Sequence, residues 1–177
     1  MRQIVLLRGV NIGPRNRIAM PRLRGALEAA GFADVATYLQ SGNIALTTRK
    51  TPDRLARECA RLIADEFGLD IGVVVRTHEE LAAVVECNPL RDVAVNPKRY
   101  QVSFLAEEPS TDLVERLAAA AVAPERFVAI GRELYSWTPE GIARSKLWAR
   151  LAGRDLGVTA TARNWTTVTA LLALADG

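Results

Sequence analysis

Hydrophobic and polar positions in the first half of the chain alternate between short apolar runs and patterns with helical spacing. Residues 4–7 are apolar throughout, which predicts a strand buried on both faces. Residues 77–80 have the spacing of a capping box and predict the start of a helix that ends near Cys87. In chain order, the patterns predict strands over 4–7, 35–40, 43–47 and 71–76, with helices over 20–30 and 53–67 between them.

The same order of elements recurs in the second half. The patterns predict strands over 100–105, 126–130, 133–137 and 158–161, and helices over 112–122, 145–152 and 163–175, the last capped by Thr161. Both halves are therefore βαββαβ followed by one more helix, which is the order of the ferredoxin-like unit. We predict an α+β fold of two ferredoxin-like subdomains packed together, over residues 1–88 and 99–177 with a linker at 89–98. A weak identity supports the repeat, because Thr77 and residues 81–84 align with Thr161 and residues 165–168.

This topology predicts that two polar loops of the first half face each other. In a ferredoxin-like sheet, the end of strand one and the turn between strands two and three lie at the same end of the sheet. Glycines, several arginines and the amino end of the helix starting near Met20 would then form an anion site. The candidate ligand-binding residues are Arg8, Asn11, Gly13, Arg15, Arg17, Gln40, Ser41 and Asn43. The alternative is that these glycines and asparagines only shape an ordinary loop and hairpin.

A second polar cluster is predicted at the opposite end of the second subdomain. Its candidate residues are Ser145, Lys146, Arg163 and Asn164, which the topology brings near one another. The alternative is that Ser145 is only a helix cap and Trp165 an anchor of the core.

Composition and charge bound the class of protein. The chain has 177 residues, 49% of them hydrophobic and 24% charged, as in a globular protein of one domain or two small ones. No apolar run approaches the ~18–20 residues that span a bilayer, and no leader segment is apparent, so we expect a cytoplasmic protein without a membrane partner. The formal net charge of +3 is uneven: residues 1–27 hold six arginines and no acid, whereas residues 28–140 are net acidic. Arginine suits phosphate and carboxylate, although a composition bias of the genome explains the arginine excess equally well.

Several kinds of chemistry find no support in the sequence. The sole histidine, His78, lies in a predicted first helical turn, and Cys59 and Cys87 lie in separate helices, so we predict no metal site and no disulfide. There is no Walker loop and no glycine-rich dinucleotide motif, and we predict no cofactor. The central strands carry no aromatic residue on which RNA bases would stack.

The motifs together resemble those of a bacterial family of unknown function, DUF1697. Members of that family carry R-G-[IV]-N-[IV]-G, M-x-x-L, T-Y-[IL]-Q-S-G-N, S-K-L and T-x-R-N-W-x-T-V. These motifs correspond to residues 8–13, 20–23, 37–43, 145–147 and 161–168. The family commonly has a second glycine and then a lysine after the first motif, where this chain has Pro14 and Arg15. The resemblance implies an α+β fold of ferredoxin-like subdomains and brings no activity with it.

The leading hypothesis is a cytoplasmic protein that binds a small phosphorylated or carboxylate ligand at residues 8–13 and 40–43. One alternative is an enzyme that acts on such a ligand with Lys146 or Ser145. A nucleic-acid-binding protein ranks third. The ligand, any reaction and the oligomeric state stay open at this stage.

Overall fold

The four strands of the first half form one antiparallel sheet. They are β1 (Arg2–Leu7), β2 (Ala33–Tyr38), β3 (Asn43–Thr47) and β4 (Val73–Thr77), in the spatial order β2-β3-β1-β4. The central strand β1 pairs with both β3 and β4, and its residues 4–7, whose side chains alternate between the two faces, are all buried. The computed structural model from which these elements are taken describes residues 1–154 and 156–177.

Helices α1 (Met20–Ala29) and α2 (Pro52–Phe67) pack their apolar stripes on one face of this sheet. Leu23 and Leu27 on α1 are spaced by four residues, as are Leu55, Cys59 and Ile63 on α2, so each helix presents one continuous apolar face. Burial raises the pKa of the Cys59 thiol to about 12, which keeps it protonated. Helix α3 (His78–Cys87) follows β4.

The second half repeats this arrangement. Its elements are β5 (Tyr100–Leu105), α4 (Thr111–Ala120), β6 (Arg126–Ile130), β7 (Glu133–Trp137), α5 (Lys146–Ala152), β8 (Ala160–Asn164) and α6 (Trp165–Asp176). The sheet order is β6-β7-β5-β8, the counterpart of the first sheet, and every pairing is antiparallel. The predicted α+β fold with two ferredoxin-like units is therefore confirmed.

The compact units differ from the predicted division of the chain. One unit consists of Met1–Ala83 together with Ala170–Gly177, and the other of Val84–Thr169, so both boundaries fall inside helices. The end of α6 belongs to the first unit because Arg2 donates a hydrogen bond to the Leu174 carbonyl (3.3 Å) and His78 pairs with Asp176.

The start of the last helix also differs from the prediction. Strand β8 continues to Asn164, whose side-chain oxygen accepts a hydrogen bond from the Thr167 N–H (2.9 Å), so Asn164 rather than Thr161 caps α6. Asparagine is a stronger N-cap than threonine. In addition, Arg163 pairs with Val102 across β5 and β8, so the strand extends past Thr161.

This difference changes the alignment of the two repeats. Thr77 lies opposite Gln3, and Asn164 lies opposite Gln101, so Thr77 and Asn164 hold equivalent positions. The predicted alignment of Thr77 with Thr161 is wrong by three residues. In the corrected alignment, Arg76 and Arg163 are equivalent.

No helix in the described part of the chain is both long enough and apolar enough to cross a membrane.

The capping box at the start of α3 provides a test of local stability. The Glu80 N–H donates to the Thr77 hydroxyl (3.1 Å), and the Glu80 carboxylate accepts from the Thr77 N–H (2.8 Å). Thr77→Ala should lower the free energy of unfolding by about 1 kcal/mol, because the Glu80 N–H loses its acceptor. Thr51→Ala is the matched control, since Thr51 also precedes a helix but makes no side-chain cap. Urea unfolding that shows equal losses in both variants would contradict the assignment.

Candidate functional site

The two polar loops of the first unit lie at one end of its sheet, as the topology predicts. At this end the Leu7 N–H donates to the Gly42 carbonyl (2.8 Å), and the Arg8 N–H donates to the Gly72 carbonyl (2.9 Å). The first of these hydrogen bonds joins the last residue of β1 to the turn between β2 and β3, so the loop after β1 begins beside that turn. We call residues 8–19 and 39–42 together the loop cluster.

The Asn11 side chain ties the two parts of the loop cluster together. Its amide nitrogen donates to the Gln40 carbonyl (2.6 Å) and to the Ile18 carbonyl (2.9 Å), and its oxygen accepts from the Ile18 N–H (2.9 Å). Asn11 has a φ of 55°, which asparagine tolerates better than most residues. Its side chain thus holds the loop closed and fixes it to the hairpin, rather than pointing at a ligand.

The backbone of the loop has left-handed residues at alternate positions. Gly9, Asn11 and Gly13 have φ values of 64°, 55° and 68°. The Asn11 N–H donates to the Asn16 carbonyl (3.0 Å), which closes the loop on itself. Positive φ at alternate positions also occurs in backbone anion nests, although the Asn11 N–H is used here within the loop.

Gly42 is required at its position by packing as well as by conformation. It has a φ of 80°, and a Cβ there would lie 2.6 Å from the Leu7 Cβ and 2.7 Å from Val10 Cγ2. The turn therefore rests directly on the end of β1 and on the first residues of the loop.

The polar side chains of the hairpin are also engaged within the fold. Asn43 is fully buried, and its amide nitrogen donates to the Tyr38 carbonyl and to the Ser41 hydroxyl (both 2.9 Å). The Asn43 side chain therefore holds the hairpin together, and its ligand-binding role stays a prediction. Gln40 contributes its backbone carbonyl to the contact with Asn11, and its side chain is exposed.

Three of the six N-terminal arginines belong to the loop cluster. Arg15 and Arg17 are exposed, and Arg8 is half-buried at the end of β1. The other three lie elsewhere: Arg2 donates to the Asp34 carbonyl (2.6 Å), Arg22 donates to the Glu66 carbonyl (2.8 Å), and Arg24 pairs with Glu28 (2.9 Å). The amino end of α1 is also unsatisfied by side chains, because its N-cap residue is Ala19.

In the second unit, the Ser145 hydroxyl is a helix cap, as the alternative interpretation holds. It accepts a hydrogen bond from the Trp148 N–H (3.0 Å) and donates one to the Glu125 carboxylate. Sequence reasoning missed Glu125, which lies twenty residues earlier. The Ser145 hydroxyl is thus used within the fold. Lys146 is exposed as the first residue of α5. Together with Glu125 and Ser145 it lines a cleft of about 610 Å³.

The residues of the predicted second cluster lie on different elements and faces of the second unit. Arg163 lies opposite Val102, on the sheet face away from α4 and α5, whereas Ser145 and Lys146 lie at the start of α5. Asn164 is occupied in capping α6. Successive residues of a strand alternate between the two faces, and this alternation separates Arg163 from Lys146.

Two buried arginines at equivalent positions were not recognised as a pair from the sequence. Arg76 is 1% exposed and Arg163 is 7% exposed, and each donates to the carbonyl of the residue before it, at 2.9 Å and 2.8 Å. Burial lowers the pKa of Arg163 to about 10. The signal in the sequence is an arginine directly before a helix cap, in Arg76-Thr77 and in Arg163-Asn164.

The fold defines a class of α+β protein: a duplicated ferredoxin-like scaffold, here with a basic loop after β1. The family described as a protein of unknown function, DUF1697, matches residues 1–135, and the chain belongs to this family. The chain is also similar in structure to the conserved bacterial protein SP0830 from Streptococcus pneumoniae, at 21% sequence identity. That match has a TM-score of 0.79 and covers 98% of this chain and 97% of the other. No curated protein matches the chain.

The contact of the turn with β1 can be tested with two glycine substitutions. Gly42→Ala should destabilise the protein by about 2–4 kcal/mol, because it combines an unfavourable positive φ with overpacking against Leu7 and Val10. Gly31→Ala is the matched control: its φ is 89°, and a Cβ there has no atom within 4 Å. The control should cost about 1–2 kcal/mol for its backbone conformation alone. Thermal or urea unfolding measures both, and equal losses would show that the packing contact is unimportant.

Proposed function

We propose that this is a cytoplasmic protein that binds a small anionic ligand, a phosphate or carboxylate, at the loop cluster. The observation that carries the proposal is the loop backbone, in which Gly9, Asn11 and Gly13 have positive φ and the Asn11 side chain fixes the whole loop to the hairpin. An anion site needs donors that are already in place, because ordering a mobile loop would consume much of the binding energy.

Charge supports the same ligand class. Residues 1–27 contain no acidic side chain, and Arg8, Arg15 and Arg17 lie on or beside the loop backbone. Arginine presents a planar fork that matches the oxygens of phosphate and carboxylate. The amino end of α1, which lacks a side-chain cap, adds a partial positive charge at the end of the same loop.

The structure changes the roles within the proposed site. Backbone N–H groups and the three arginines would contact the ligand. Asn11, Ser41 and Asn43 would position the loop and the hairpin. Gly13, where a Cβ would have no atom within 4 Å, lies in open space and provides left-handed backbone.

A small ligand suits the charge better than a long polyanion. The formal net charge of the whole chain is only +3, and residues 28–140 are net acidic, so the excess of basic residues lies in the two ends of the sequence. A nucleic-acid partner would contact a longer basic surface, and its binding would depend steeply on salt.

Calorimetric titration of the full chain with inorganic phosphate, nucleoside phosphates, sugar phosphates and dicarboxylates tests the proposal. At least one anion should bind with one-to-one stoichiometry. Arg15→Ala combined with Arg17→Ala should weaken that binding by about tenfold or more, since a charge-assisted hydrogen bond contributes about 1.5–3 kcal/mol. Arg8→Ala should act in the same direction.

The matched control is Arg57→Ala combined with Arg61→Ala, two exposed arginines on α2. These substitutions remove the same total charge but leave the loop intact, so binding should change less than twofold. Equal weakening in the two double variants would assign the effect to overall charge and would refute a local site. Absence of binding by every anion in the panel would refute the proposal as a whole.

A further inference from the structure

The second unit contains a groove of about 620 Å³ between helices α4 and α5 that no part of the proposed function uses. Its floor is formed by apolar residues: Leu113, Leu117, Ala119, Ala120, Ala149 and Leu156. The buried leucines belong to the core under the two helices, and the alanines leave the space between the helices open.

The corresponding helices of the first unit have their ends in contact. Helix α2 has 16 residues and ends in Phe67, and the Arg22 guanidinium at the start of α1 lies 4.7 Å from the centre of the Phe67 ring. Helix α5 has only 7 residues and is followed by Gly153, which has no side chain. The α4–α5 groove therefore has no side chain equivalent to Phe67 at the end of α5.

The charged residues among the described lining of the groove are all cations. They are Arg116 on α4 and Lys146 and Arg150 on α5. Arg116 also makes an ion pair with Asp112 (3.2 Å), but both side chains are more than half exposed, so this pair is weak.

The two cations on α5 lie close enough to repel each other. Lys146 is the first residue of the helix and Arg150 lies in its last turn. They are four residues apart, and like charges at that spacing destabilise a helix slightly. An anion bound between the two side chains would remove this repulsion.

We propose that the α4–α5 groove binds an amphiphilic anion: a single apolar chain that carries a carboxylate or phosphate head group. The chain would lie on the apolar floor between the helices, and the head group would be held by Lys146, Arg150 and Arg116. An aliphatic chain fits because the alanines and leucines offer apolar surface without hydrogen-bonding side chains, and burial of that surface stabilises the complex.

The test is calorimetric titration of the full chain with decanoate and decyl phosphate below their micellar concentrations. Both should bind at one site. Inorganic phosphate, which lacks the chain, and decyltrimethylammonium, which reverses the charge, should each bind there at least about tenfold more weakly. Equal binding of decyltrimethylammonium or the absence of saturable decanoate binding would overturn the proposal.

Variants distinguish this groove from the loop cluster. Lys146→Ala combined with Arg150→Ala should weaken decanoate binding by about tenfold or more, and Ala149→Leu should weaken it by filling the groove without changing its charge. Arg57→Ala combined with Arg61→Ala is the control and should leave binding unchanged. All substituted residues are exposed, so far-ultraviolet circular dichroism should remain that of the parent chain.

Decanoate binding that is lost in Arg15→Ala with Arg17→Ala but kept in Lys146→Ala with Arg150→Ala would place the ligand at the loop cluster and overturn the groove assignment.

Discussion

The antiparallel pairing of β1 with both β3 and β4 is the constraint on which the first unit depends. It makes β1 the central strand, and residues 4–7 of this strand are apolar and buried at every position. The same pairing brings the end of β1 beside the starts of β3 and β4, through hydrogen bonds from Leu7 and Arg8 to Gly42 and Gly72. A loop that follows β1 must then lie against the turn that precedes β3. The loop cluster is thus a consequence of strand pairing, and its side chains refine a position that the sheet has already fixed.

Within the loop cluster, the amides of Asn11 and Asn43 hold the loop and the hairpin together, and Gly42 allows the turn to approach β1 closely. A short amide side chain that closes a loop cannot also reach beyond it. The most recognisable motifs of the chain, at residues 8–13 and 40–43, therefore describe how the loop and the hairpin are built. In the proposed site, other backbone N–H groups and arginine side chains would contact the ligand.

The two units show one scaffold with two different surfaces. Leu7 and Leu105 are equivalent, because each donates to the residue before β3 or β7. The next residue is Arg8 in the first unit and Ala106 in the second, so the basic loop has no counterpart after β5. The second unit instead has a short α5 and an open space beside α4. The buried arginines Arg76 and Arg163 are retained at equivalent positions in both sheets, which shows that some polar features belong to the scaffold itself.

The sequence by itself determined the order of elements, the duplication and the ferredoxin-like class, because the strand and helix periodicities are local and the turn residues mark their ends. It also determined which loops of the first unit meet, since antiparallel topology follows from strand order. Only the tertiary structure decided which polar side chains make hydrogen bonds within the fold and which ones are exposed. The Ser145 hydroxyl became a cap bound to Glu125, and Arg163 turned away from Lys146, because pairing partners and strand faces depend on contacts between residues far apart in the chain. The groove between α4 and α5 likewise depends on how these two helices pack against each other, and no local sequence pattern predicts that packing.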